Sequence, residues 1–151
     1  EYAAFFGSVQ IFNYLVFNKV ELNPSLWLYV IHSRNAELFH LLEEHNVDPP
    51  DKNYEKLLCE SIKCHHNEFA DYIENNFLTQ DNNRTRKNEE VLSSIMQFHN
   101  YAYFPSDFES ENEFFYLCSY NYHKLVTLFI KLKEESIKKK IFEKIIIYKY
   151  L

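Results

Sequence analysis

Four windows of this chain carry one apolar pattern: Ile11-Phe12-x-Tyr14-Leu15, Leu38-Phe39-x-Leu41-Leu42, Phe69-Ala70-x-Tyr72-Ile73 and Leu125-Val126-x-Leu128-Phe129. Each is apolar at positions 0, +1, +3 and +4, and polar at +2, where Asn13, His40, Asp71 and Thr127 stand. At ~100° per residue the four apolar positions share one side of a helix and the +2 residue points away from it. With 46% apolar residues, one such window arises by chance roughly once in forty, so the weight lies in four windows with common flanks.

Eight and seven residues before the reference position lie Ala3-Ala4, Val30-Ile31, Ser61-Ile62 and Leu117-Cys118, and nine residues after it lie Val20, Val47 and Leu78. Between the upstream pair and the reference come four mostly polar or small residues: Gly7-Ser8-Val9-Gln10, Arg34-Asn35-Ala36-Glu37, His65-His66-Asn67-Glu68 and Asn121-Tyr122-His123-Lys124. The unit is therefore a helix, a tight corner, a second helix and a connection. One glycine and four prolines supply too few turn formers for a sandwich or barrel, and the predicted class is all-α.

The reference positions are spaced by 27, 31 and 56 residues. The last gap is read as two units, with Ile95-Met96-x-Phe98 as a degenerate second helix and the polar run 79–90 as a loop. Asn83-Arg84-Thr85 within that run matches a glycosylation sequon, which a reducing interior would leave unused. The expected organisation is a single array over 1–151, with repeats at about 1–23, 24–50, 51–79, a degenerate 80–106 and 107–136, then a C-terminal helix 137–151. Neither end reads as a polar cap, so the array is expected to be a fragment of a longer one, or its ends to meet another chain.

Cys59, Cys64, His65 and His66 invite a metal or thiol reading, but His65 and His66 fall where the first repeat has Gly7 and Ser8. They are predicted to form the inter-helix corner, where polar side chains can cap the second helix. Adjacent corner residues diverge, whereas zinc needs three or four converging ligands. Cys118 and His123 straddle another corner. No HExxH pattern or glycine-rich phosphate loop occurs, and no catalytic residue, metal or cofactor is expected. Three cysteines at 59, 64 and 118 make no closed disulfide framework, and the predicted location is intracellular, cytoplasmic or nuclear.

The net charge of −6 hides seven lysines against three glutamates in 131–149, which leaves about −10 for the remainder. An acidic body repels phosphates, so nucleic acid is not the expected ligand. The longest apolar run, Leu26 to Ile31, is too short to span a bilayer. In the tail, Ile137, Ile141, Ile145 and Tyr148 recur at helical spacing, as in an amphipathic helix docked on the last repeat.

The thirty-residue unit with Ala3-Ala4-Phe5-Phe6-Gly7-Ser8-Val9-Gln10-Ile11-Phe12-Asn13-Tyr14-Leu15 resembles the ankyrin repeat. SLWLYVIHSRNAELFHLLEEHNVDP and YEKLLCESIKCHHNEFADYIENN are similar to the divergent ankyrin-type domain of unknown function abundant in protozoan parasites, and the likeness covers nearly the whole chain. It implies an ankyrin-like helical-hairpin solenoid with degenerate β-hairpins, and protein binding without chemistry. Ankyrin inner helices usually open with T-P-L-H; here the matching residues are Ser25-Leu26-Trp27-Leu28, Lys56-Leu57-Leu58-Cys59 and Asn112-Glu113-Phe114-Phe115. Short loops are therefore expected in place of hairpin fingers.

Three positions of each inner helix are predicted to point outward. Nine before the reference they read Tyr2, Tyr29, Glu60 and Tyr116; six before, Phe5, His32, Lys63 and Ser119; five before, Phe6, Ser33, Cys64 and Tyr120. Tyrosine is favoured at interfaces, since it offers area and a polar tip at small entropic cost. The expected function is a non-enzymatic scaffold that binds another protein through this face, which in ankyrin arrays is concave. Two alternatives are a metal-dependent or thiol enzyme at Cys59, Cys64, His65 and His66, and a purely structural spacer.

Overall fold

A computed structural model describes residues 1–78, 88–104 and 111–149, with side chains left out at 111, 112 and 137–149. The described residues are helical with no strand. They divide into two compact units, Glu1–Pro105 and Ser106–Leu151.

In the first unit the helices are α1 (Tyr2–Phe5), α2 (Val9–Phe17), α3 (Leu26–Ser33), α4 (Ala36–Glu44), α5 (Tyr54–Lys63), α6 (Asn67–Phe77) and α7 (Glu89–Gln97). They form hairpins α1–α2, α3–α4 and α5–α6, and the first helices pack in succession, α1 on α3, α3 on α5 and α5 on α7. The core follows the repeated pattern: Ala4, Val30, Ile31, Leu38, Leu42, Leu57, Leu58, Ile62, Ala70, Ile73, Val91 and Ile95 are fully buried. The +2 residues Asn13, His40, Asp71 and Thr127 are exposed, as the 100° argument requires. On α1, at its C-cap Phe6 and on α2, the large apolar side chains Tyr2, Phe6, Ile11, Tyr14 and Phe17 are exposed.

Each predicted corner turns on a left-handed residue. Gly7, Arg34, His65 and Asn121, which share one column of the alignment, all have positive φ, at 67°, 53°, 57° and 61°. A residue there lets the backbone N–H of the next residue reach back to the carbonyl five before it, closing the helix end. Ser8 N donates to Ala3 O at 2.8 Å, His66 N to Ser61 O at 2.9 Å and Tyr122 N to Leu117 O at 2.9 Å. The downstream valines have the same origin: Lys19 and Asn46 are left-handed, and Val20 N and Val47 N reach Leu15 O and Leu42 O. An apolar residue regularly follows such a cap because it packs back on the helix. At the second-helix N-termini, Asn35 caps α4 by accepting from Leu38 N at 3.2 Å, whereas Ser8 and His66 stand at the N-cap without a side-chain bond.

In the degenerate repeat the corner corrects which helix Ile95-Met96-x-Phe98 belongs to. His99 is left-handed at φ 55°, and Asn100 N donates to Ile95 O at 3.1 Å. Ile95-Met96 therefore corresponds to the upstream pair Ala3-Ala4, and α7 is the first helix of its unit, packed on α5. The reference position is Tyr103, buried to 1% exposure, and the second helix shrinks to the 3-10 turn Tyr101–Tyr103. Phe104 is extended, at φ −59° and ψ 139°, because the following Pro105 excludes the α region.

Among the described residues the connections also lack strands. Residues 18–25 join α2 to α3, and 45–53 pass through a 3-10 turn, Pro50–Lys52, where Lys56 pairs with Asp51. Neighbouring corners are tied directly by side chains. Asn35 Nδ2 donates to Gly7 O at 3.1 Å, Asn100 Nδ2 to Ile62 O at 3.0 Å and to Asn67 Oδ1 at 2.8 Å, and His65 Nε2 to Phe98 O at 2.9 Å.

The second unit holds α8 (Glu111–Ser119) and α9 (His123–Lys149). Leu117 and Tyr122 are buried, and Phe114 lies 5.1 Å from Phe129 between ring centroids. α9 runs without interruption through residue 137, where a separate C-terminal helix is expected. The run 79–87, the sequon 83–85 and the tail side chains Ile137, Ile141, Ile145 and Tyr148 lie outside the described residues. Among the described residues no helix is long and apolar enough to cross a membrane.

Candidate functional site

The outward positions of α1, α3 and α5 meet along one face of the first unit. Tyr2 is 83% exposed, Phe6 73% and Phe5 42%; His32 and Lys63 are exposed, while Tyr29, Ser33 and Glu60 are half-buried. The half-burial comes from the stacking itself. Phe5 stands edge-on to Tyr29 at 6.5 Å and tilted against His32 at 5.7 Å, so one repeat's sixth position covers the next repeat's ninth. Glu1, Tyr2, Phe5, Phe6 and Tyr29 line an open, largely aromatic cleft. Lys63 lies over the Phe98 ring at 5.9 Å from its centroid. In the second unit, Tyr116 and Tyr120 stack one turn apart at 6.4 Å and Ser119 bonds its own helix through Phe115 O.

The Cys59, Cys64, His65 and His66 grouping does not assemble. His65 spends its Nε2 on the Phe98 carbonyl, and Cys59 hydrogen-bonds Ser94 while burial pushes its thiol above the ordinary value. His66 is held below the usual imidazole value, first by burial and then by the Arg34 charge. Cys64 instead finds partners on the preceding repeat. Its Sγ is 3.5 Å from His32 Nδ1, and His32 Nε2 donates to Glu60 Oε1 at 2.8 Å. Glu60 and Cys64 are four apart on α5 and so share a face, while His32 reaches across from α3. Sequence spacing alone hid this trio, because it lines up equivalent positions, whereas adjacent helices bring a sixth position beside a ninth and a fifth.

The trio has the order of a thiol, an imidazole and an orienting carboxylate, but its electrostatics oppose a nucleophilic thiolate. Burial and then the Glu60 carboxylate, 3.9 Å from Sγ, push the Cys64 thiol up, with Lys63 pulling weakly the other way. A reactive cysteine needs the opposite surroundings. All three cysteines are free, and Cys118 is exposed. Iodoacetamide in EDTA-containing buffer is thus expected to label Cys118 first at neutral pH. A raised thiol holds its proton longer, so labelling of Cys59 and Cys64 should begin only at higher pH than for an unhindered cysteine. Peptide mapping across a pH series checks this; Cys64 labelled at neutral pH as fast as a small thiol contradicts it.

The fold and this face define an all-helical chain of stacked hairpins in its first unit. No protein-family model, curated protein or solved structure matches the chain.

Proposed function

We propose that the chain is a non-enzymatic protein-interaction scaffold: an ankyrin-like solenoid whose concave inner-helix face takes a polypeptide partner. The observation that carries this is the aromatic ridge of Tyr2, Phe5, Phe6 and Tyr29, exposed in part and joined by edge contacts to His32. Large rigid aromatic rings around a cleft are what interface hot spots are built from. Beside them stand Glu60 and Lys63, whose charges can set register at a rim. Tyr116, Ser119 and Tyr120 form the corresponding patch of the second unit.

The array reading draws support from the succession of α1, α3, α5 and α7 and from the side-chain bonds between corners. Those bonds do in this chain what T-P-L-H does in an ankyrin repeat. Intracellular location and the absence of nucleic acid as ligand belong to the same proposal and rest on the acidic body and the three free thiols.

The test is affinity capture followed by titration with the captured polypeptide. The double variant Phe5→Ala with Tyr29→Ala is expected to bind it at least about 30-fold more weakly, the size of a hot-spot loss of about 2 kcal/mol. Far-UV circular dichroism should stay unchanged. Equal binding by both proteins overturns the assignment and favours a spacer.

A further inference from the structure

The structure assigns a zinc-type divalent cation site to His32, Glu60 and Cys64, bridging the second and third repeats. These three are the set among the described residues whose nitrogen, oxygen and sulfur atoms come within 4.8 Å of one another. The set holds one carboxylate only, so it is not a chance crowd of surface acids. Its mixture of thiolate, imidazole and carboxylate suits zinc, a borderline-soft ion that takes all three.

The distances carry the argument. With bonds of about 2.0 Å to nitrogen and oxygen and about 2.3 Å to sulfur, a tetrahedral ion sets its ligands about 3.3 Å apart for nitrogen to oxygen, and about 3.5–3.6 Å for either to sulfur. His32 Nε2 and Glu60 Oε1 are 2.8 Å apart, Cys64 Sγ and His32 Nε2 4.0 Å, and Cys64 Sγ and Glu60 Oε1 3.9 Å. Each of these edges needs an adjustment of about 0.5 Å, and because Cys64 Sγ now lies nearer His32 Nδ1, at 3.5 Å, the imidazole must also turn to aim Nε2 at the ion. Three protein ligands leave a fourth position for water or for a group from a partner, and His32 keeps a third of its side chain in solvent, so the ion has a path in.

The hydrogen bond now linking His32 to Glu60 holds the two ligands together. On binding, the Cys64 S–H proton leaves for solvent, and the His32 ring takes the tautomer that carries its N–H on Nδ1 and frees the Nε2 lone pair for the ion, so that one proton is released in all. Lys63 opposes the ion. Its Nζ donates to Glu60 Oε1 at 3.1 Å and to Oε2 at 3.3 Å, and it must swing away, which its exposed four-carbon stem allows.

This inference stands apart from the partner reading. Metal-free protein is titrated with Co²⁺ as a spectroscopic stand-in for Zn²⁺. One equivalent is expected to bind with a thiolate-to-cobalt charge-transfer band that Zn²⁺ displaces. Cys64→Ser should lose the band, His32→Ala should weaken binding at least about tenfold, and Lys63→Met should strengthen it. Cys118→Ser should bind as the parent does. Circular dichroism confirms that each variant is folded; all three ligand-set positions are at least partly exposed. No band in the parent protein, or a band that persists in folded Cys64→Ser, overturns the site.

Discussion

Trp27→Ala is expected to lower the stability of the first unit by about 3–5 kcal/mol, the cost of emptying a large aromatic site in a packed core. Trp27 is 1% exposed and meets Phe39 edge-on at 4.8 Å. Phe39 in turn stacks on Phe69 of the next hairpin at 5.1 Å, so the indole anchors a row of rings that crosses from one repeat to another. Its Nε1 also donates to Val47 O at 2.9 Å, tying the connection after α4 to the start of α3. Alanine removes the packing and leaves that carbonyl without its donor. Because this is the single tryptophan, unfolding in urea is followed by circular dichroism and not by fluorescence. Trp27→Phe separates the two contributions, since it keeps most of the ring volume and loses only the bond, at about 1–3 kcal/mol. A loss under about 1 kcal/mol for Trp27→Ala would mean the site is not packed as described.

Asn100→Ala is the second large effect, at about 1–3 kcal/mol for the buried acceptor it strands. Asn100 is 2% exposed and donates to both Ile62 O and Asn67 Oδ1. It therefore holds the corner of the third repeat to the corner of the fourth. Asn100→Asp offers a sharper test, because it keeps the shape, cannot donate when ionised and brings a charge into a buried place. It is expected to cost at least as much as alanine in the same urea experiment. An aspartate variant as stable as the parent would show that shape, and not the hydrogen bonds, holds the corners together.

Much of the helical plan was legible from residues. The corner column Gly7, Arg34, His65 and Asn121 emerged from apolar spacing alone, and all four share the left-handed conformation, although only one is glycine. The left-handed cap leaves no composition signal when arginine or histidine fills it, so the alignment had to find it. Within the fourth unit, 80–106, the helix around Ile95 is the first of its pair and not the expected second, for a related reason. Ile95-Met96-x-Phe98 satisfies three of the four apolar positions of a second helix, and helical periodicity cannot tell a first helix from a second. Pro105 was the available clue, since it forbids a full helix after the His99 corner.

What sequence alone determined is the local grammar: all-helical class, hairpins at about thirty residues, corners that end one helix and begin another, and which side of each helix is apolar. Local rules suffice there because 3.6-residue periodicity and backbone capping act within a few residues. Tertiary structure alone decided which side chains from different repeats meet. The shift between neighbouring helices puts His32 beside Glu60 and Cys64 in place of Lys63, and Phe5 beside Tyr29. That shift is set by how ridges of buried side chains interlock across α1, α3 and α5, a sum over many contacts that no single stretch of chain encodes.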